Sequence, residues 1–226
     1  ALPLNPERVV SVPTGVDTRR FSPGDSEPRR KVRETLAVPE NALLVGIVAT
    51  LRSWKGHGFL LEAMANSALE SASLLIVGDG PQREALKAQA QALGIANRVH
   101  FVGNQNDVVP WLNSIDVFVL PSYANEGVPQ ALMQAMACGL PCVTTSIGAI
   151  GELAQPDRTA LIVPTRDSAA LAMALARLLS DWPLRERLAR AARAHVVAAF
   201  DVEQMLDRME ALFARVINEN DQRISP

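Results

Sequence analysis

The segment Glu126-Gly127-Val128-Pro129 follows an apolar run that ends at Leu120 and opens a helix-forming stretch. Pro sits near the first helical position, where a missing N–H costs nothing. Such a turn presents unpaired backbone N–H groups at the positive end of a helix, and Gly127 lets an anion come close to the chain. An ordinary strand-to-helix turn uses the same residue types, and this loop alone favours that simpler reading. Gln130 and Gln134 follow Glu126 by four and eight positions, so these polar groups share one helix face while Leu132, Met133 and Met136 point to the core. Eight helical residues span about 12 Å. That is the reach from a sugar ring across a diphosphate to a ribose, although a solvated helix face is the commoner reason for glutamines at this spacing.

A second loop, Thr50-Leu51-Arg52-Ser53-Trp54-Lys55-Gly56, carries two cations. Arg52 and Lys55 could neutralise a diphosphate as it departs with growing negative charge. Trp54 between them is read as loop packing. His57, His100 and His195 are scattered without metal-ligand spacing and are read as structural or surface residues. After Gly78-Asp79-Gly80 the third glycine of a dinucleotide fingerprint would fall at Arg83, and there is no Gly-x-x-x-x-Gly-Lys loop, no Gly-x-Ser-x-Gly elbow and no His-Glu-x-x-His. Dehydrogenase, P-loop nucleotidase, serine-hydrolase and zinc-protease chemistry all lose ground. With no Asp-x-Asp pair to hold a metal on a diphosphate, the expected metal set is none, and protein cations and amides must do that work.

The elements that would position these loops follow from the apolar pattern. Short apolar runs bounded by turn residues occur at 9–12, 43–49, 74–77, 99–102, 117–120, 142–144 and 160–163, and read as buried strands. Helical stretches lie between them near 29–36, 58–69, 82–93, 108–114 and 129–138. Alternating strand and helix demands a parallel sheet covered by crossover helices, hence an α/β, Rossmann-like fold class. Ligands of such sheets bind at the carboxyl ends of strands, where both loops fall. Beyond Pro164 the pattern turns helical: leucines at 171, 175, 178 and 179 form a stripe, Pro183 opens a further helix, and Asp201 with Gln204 resembles a capping box for the last one.

Composition sets the outer bounds. The chain has 226 residues, 48% hydrophobic and 20% charged, which suits a folded domain rather than a disordered or fibrous chain. Twenty-two Lys plus Arg against 24 Asp plus Glu give a net charge of −2, so no basic excess is available for nucleic acid. Cys138 and Cys142 are too few for a disulfide scaffold or zinc cage and read as buried free thiols. No apolar run reaches membrane-spanning length and no export signal opens the sequence.

The stretch from Glu126 through Gln134 to Cys138-Gly139-Leu140-Pro141 resembles the signature of glycosyltransferase family 4, retaining nucleotide-sugar transferases of the GT-B fold. Val12-Pro13-Thr14-Gly15-Val16-Asp17, Trp54-Lys55-Gly56-His57, Val77-Gly78-Asp79-Gly80-Pro81, Phe101-Val102-Gly103 and Gly148-Ala149-Ile150-Gly151-Glu152 are similar to further segments of that family in the expected order. The resemblance implies that Glu126, the catalytic candidate, contacts the donor sugar hydroxyls and that the amides at Gly127 and Val128 hold phosphate. It further implies that Arg52 and Lys55 bind the diphosphate, that the backbone at Val102 and Gly103 meets the nucleobase, and that Gln134 stands at the ribose; Gln130 is a substrate-contact candidate from its place on the same helix face. The donor is then a nucleotide-diphosphate sugar, with no separate cofactor and no metal, and the acceptor a glycan or lipid-glycan in polysaccharide or lipopolysaccharide assembly.

Three departures matter. The family's second glutamate falls at Gln134, which implies ribose binding weaker by roughly 1 kcal/mol. Its usual arginine falls at Thr50, for which Arg52 would substitute. The likeness is to the C-terminal, donor-binding half alone, with residues 1–198 as the nucleotide-sugar-binding domain and 199–226 as a helix that would pack toward an absent N-terminal half. On this reading the chain binds donor but transfers poorly or not at all by itself. The missing half is its partner and the place of any peripheral membrane contact, and the location is cytoplasmic, the inner membrane face included. A GT-B epimerase and a non-catalytic nucleotide sensor are the competing classes.

Overall fold

The structure, a computed structural model, describes residues 9–224, with side chains described through residue 218. Six strands, β1 (Leu44–Val48), β2 (Ser73–Val77), β3 (Val99–Gly103), β4 (Val117–Leu120), β5 (Cys142–Thr144) and β6 (Leu161–Ile162), form one parallel sheet in the order β3-β2-β1-β4-β5-β6. The order reverses between β1 and β4, the switch point where a doubly wound sheet opens a crevice for ligands. The β1–β4 ladder holds only Val45 to Val117 and Gly46 to Phe118, so the two strands part from each other toward their carboxyl ends while staying paired with β2 and β5. Nine helices are described: α1 (Ser26–Thr35), α2 (His57–Met64), α3 (Arg83–Ala92), α4 (Val109–Ser114), α5 (Gln130–Ala137), α6 (Ile150–Leu153), α7 (Ser168–Ser180), α8 (Trp182–Ala199) and α9 (Val202–Ile224).

Both sheet faces are buried, as parallel strands require. Val45, Ile47, Leu74, Ile76, Val119 and Val143 pack with Leu60, Leu86 and Leu175 from α2, α3 and α7. Leu44, Leu75, Val77, Phe118, Leu120 and Cys142 pack on the other face with Leu112, Leu132, Met136 and Val196 from α4, α5 and α8. The two cysteines are free and buried, and burial raises both thiols well above their ordinary range.

At the amino end of the sheet Asp116 ties α1 to the strands. It accepts from Arg29 (2.7 Å), Arg33 (2.6 Å) and the Leu44 amide (2.8 Å), while Arg33, almost fully buried, also donates to the carbonyls of Pro39, Ala42 and Ser114.

The strand expected at 9–12 does not form over the described residues of that run. Val10, which stays 47% exposed, and Val12 instead edge a hollow beside Ala211 and Leu212 of α9. The chain joins the body at Val16, whose N–H reaches Phe200 O (2.8 Å) and whose carbonyl accepts from Val202 (3.0 Å). The capping reading of Asp201 needs one correction: its carboxylate accepts from the Glu203 amide (3.0 Å), but Gln204 reaches back to Val197 O (3.0 Å) instead of closing the box. Residues 1–8 of the expected nucleotide-sugar-binding domain and 225–226 of the expected final helix lie outside the described residues.

Candidate functional site

Two loops from neighbouring strands lock together over the switch point. After β1 the chain makes a tight 3-10 turn at Ser53–Lys55 and ends it on Gly56 in the left-handed region (φ 77°). A Cβ there would lie 2.2 Å from Pro121 O, so only glycine permits this approach. The Tyr123 amide donates to Trp54 O (2.9 Å) across the same contact. The turn thus aims Lys55 at the loop after β4, where its ammonium meets Glu126 Oε1 at 2.6 Å. Ser122 Oγ donates to the same oxygen at 2.6 Å. The Glu126 side chain is only 4% exposed, and no hydrogen bond to its Oε2 is made among the described residues. From behind, Gly148 (φ 59°) sits so close that a Cβ would fall 1.9 Å from the Glu126 carbonyl oxygen.

Beside this pair lies a cleft of about 350 Å³ between the carboxyl ends of β1, β2 and β4 and the start of α5. Lys55, Thr50, Gly78, Asn104, Gln105, Gln130 and Gln134 line it with apolar Val48, Val77, Val108 and Leu120. Lys55 is the single charged residue among them. The backbone N–H groups of Glu126, Gly127 and Val128 make no hydrogen bond among the described residues, and the space over Gly127 is open. Three free donors leading into a helix are suited to an oxyanion.

Of the residues singled out in the sequence, Lys55, Gln130 and Gln134 line this cleft, while Glu126 joins it through its contact with Lys55, and Gly127 and Val128 follow in the same loop. Gln130 donates to Thr14 Oγ1 (2.8 Å) and Gly15 O (3.2 Å), which anchors the incoming N-terminal segment beside α5. Val102 and Gly103 end β3 at the far side. The Val102 carbonyl accepts from Gln105 Nε2 (2.8 Å), and the Gly103 carbonyl from the Gly78 amide (2.8 Å). Arg52 is not brought in. Its backbone is extended ahead of the turn, its guanidinium lies 5.6 Å from the Trp54 ring centroid, and it lines a separate hollow. Trp54, read as packing, is the platform for that arginine.

Sequence reasoning missed Ser122, Gln105 and Gly148. Ser122 lies four residues before Glu126 in the loop already singled out, which was the available signal. Gly148 belongs to a segment that resembles the family, but its packing against Glu126 is visible only in the fold, and Gln105 carries no signal without the fold. His57 sits under the Lys55 turn and is 2% exposed. Burial, helped by the nearby Lys55 charge, pulls its pKa down to about 4, so the ring is neutral near pH 7.

The sequence profile described as "Glycosyl transferases group 1" matches residues 28–195. The chain is 29% identical to D-inositol 3-phosphate glycosyltransferase of Salinispora tropica over 98% of this chain and 49% of that protein. In fold it is similar to a glycosyltransferase from Rickettsia africae (TM-score 0.88, 22% identity, 95% of this chain and 59% of that one). HepE from Anabaena, solved in complex with UDP-glucose, aligns with a TM-score of 0.83 at 26% identity over 89% of this chain and 56% of that one. The chain therefore spans about half the length of the curated relatives it matches. With the matched profile covering most of the sequence, the chain belongs to the glycosyl transferases group 1 family.

Proposed function

We propose that this chain forms the donor-binding half of a retaining, metal-independent glycosyltransferase, and that the cleft takes a nucleotide-diphosphate sugar. The observation that carries the reading is the Lys55–Glu126 pair held over the β1/β4 switch point beside three unpaired amides. Lys55 makes one hydrogen bond among the described residues and has two N–H groups left for a diphosphate. The amides of Gly127 and Val128 and the positive end of α5 add fixed donors where negative charge grows on the leaving phosphate. Glu126 accepts from donor-sugar hydroxyls, Gln134 bonds the ribose, and the β3 end at Val102 and Gly103 faces the base. β3 lies two strands from β1, about 10 Å away, a separation that suits a base at one end and a diphosphate at the other.

In this scheme the acceptor hydroxyl approaches from the face the nucleotide leaves. The glycosidic phosphate oxygen departs with the bonding pair, takes the acceptor proton, and configuration is retained. Arg52 plays no part at the diphosphate in this arrangement, because it lines another hollow. A sugar-rearranging enzyme would need a second acid or base, and the residues lining the cleft include no Asp, Glu or His. The acceptor is a glycan or lipid-glycan, and transfer requires residues outside this chain. A cytoplasmic setting is part of the same proposal. Among the described residues no helix is long and apolar enough to cross a membrane.

Thermal shift with UDP, GDP, ADP and NAD tests the reading, since a bound ligand raises the midpoint by mass action. At least one of the three nucleoside diphosphates should raise it. A response to NAD alone, or to none, would overturn the proposal.

A further inference from the structure

The hollow on the other side of the Ser53–Lys55 turn is not explained by donor binding. It measures about 190 Å³ and is bounded by Arg52, Phe59 and Glu62, by Gln82 and Gln89 from the start and body of α3, and by Tyr123. At about 30 Å³ per water it holds roughly six waters. That is room for a single six-membered sugar ring and too little for a nucleotide.

Its walls mix hydrogen-bonding side chains with the apolar surface of Phe59, Leu86 and Tyr123. Glu62 accepts from Ser168 Oγ and from Gln89 Nε2 (3.4 Å), and Gln89 also donates to Gly58 O (3.2 Å). Arg52 is stacked over Trp54. The Tyr123 ring is held by the Arg166 guanidinium 4.3 Å from its centroid and by the edge of Phe59 at 5.9 Å and 85°. One cation and one carboxylate cancel, so the hollow does not select an anion. Side-chain planes that both donate and accept, next to aromatic carbon, match a neutral polyhydroxylated ring, whose hydroxyls do both and whose C–H faces are apolar.

From this we infer that the hollow is a subsite for one neutral sugar ring of the acceptor. The inference rests on the glycosyl-transfer reading. Its position supports the assignment: Tyr123 belongs to the Glu126 loop and bonds to the turn that carries Lys55, so a ring here lies beside the donor-sugar site without entering the nucleotide cleft.

The test is saturation-transfer NMR on the chain with methyl glycosides of glucose, galactose, mannose and N-acetylglucosamine. Each is run with and without the nucleotide that gives the largest thermal shift. At least one glycoside should give a signal that persists with nucleotide present. Gln82→Ala, at the start of α3 and away from Glu126, and Tyr123→Ala should each weaken glycoside binding about fivefold, with the nucleotide thermal shift unchanged. The inference fails if no glycoside binds, if nucleotide displaces the glycoside, or if both variants bind it as wild type does. Loss of nucleotide binding with glycoside binding intact would instead sink the donor reading and leave the hollow as a sugar site.

Discussion

The two ends of the central sheet each hold a shielded carboxylate beside cations, and they treat it differently. At the amino end both Asp116 oxygens are used, by Arg29, Arg33 and the Leu44 amide, and the arginines spend further N–H groups on backbone carbonyls from α1 to α4. At the carboxyl end Lys55 and Ser122 converge on one oxygen of Glu126, Lys55 keeps two N–H groups, and the pair sits beside a cleft with three unpaired amides. A saturated network has nothing left to offer a ligand and serves to hold parts together. An unsaturated one beside open volume is arranged for a guest, which accounts for its place at the switch point.

This contrast can be broken by substitution. Asp116→Ala leaves the buried Arg33 without its carboxylate and should cost about 3–5 kcal/mol of stability by chemical denaturation, while nucleotide affinity of the remaining folded protein changes less than about twofold. Acid acts at the other end, through His57. Its pKa is depressed from 6.5 to about 4 in the fold, so between those values the unfolded chain binds the extra proton. That stability is full above pH 6.5 and is lost as pH falls toward 4, by on the order of 3 kcal/mol. Denaturation midpoints for wild type and His57→Gln should therefore converge as pH drops through this window. Lys55→Ala removes charged donors worth about 1.5–3 kcal/mol and should weaken nucleotide binding at least tenfold by calorimetric titration, the opposite pattern to Asp116→Ala. Gln134→Glu restores a charged acceptor and should tighten binding by about 1 kcal/mol. Arg52→Ala is the smallest, with affinity changed less than about twofold, because the guanidinium rests on Trp54 outside the cleft.

Much of this was legible in the sequence because buried parallel strands are short apolar runs. Residues 117–120 and 142–144 form strands over those same spans, and the other four strands differ from expectation by a single residue at one or both ends. The run at 9–12 failed because an apolar stretch does not by itself supply a strand partner, and Val9 and Val10 stay exposed, with Val10 at the edge of a hollow beside α9. On α5, helical period alone put Gln130 and Gln134 on the cleft side and Leu132, Met133 and Met136 in the core. The Lys55–Glu126 contact joins residues 71 positions apart, and only the β1/β4 adjacency creates it. Arg52 misled for a local reason: an extended residue followed at once by a 3-10 turn sends two cations three positions apart into different hollows.

Amide hydrogen exchange with and without the stabilising nucleotide addresses the central claim most directly. The N–H groups of Glu126, Gly127 and Val128 have no hydrogen-bond partner among the described residues and should exchange fast in the free chain. Saturating nucleotide should slow exchange over this segment and around the Lys55 turn, and leave the Asp116 end unchanged. Protection elsewhere, with residues 126–128 exchanging as fast as before, would contradict a diphosphate seated at that turn.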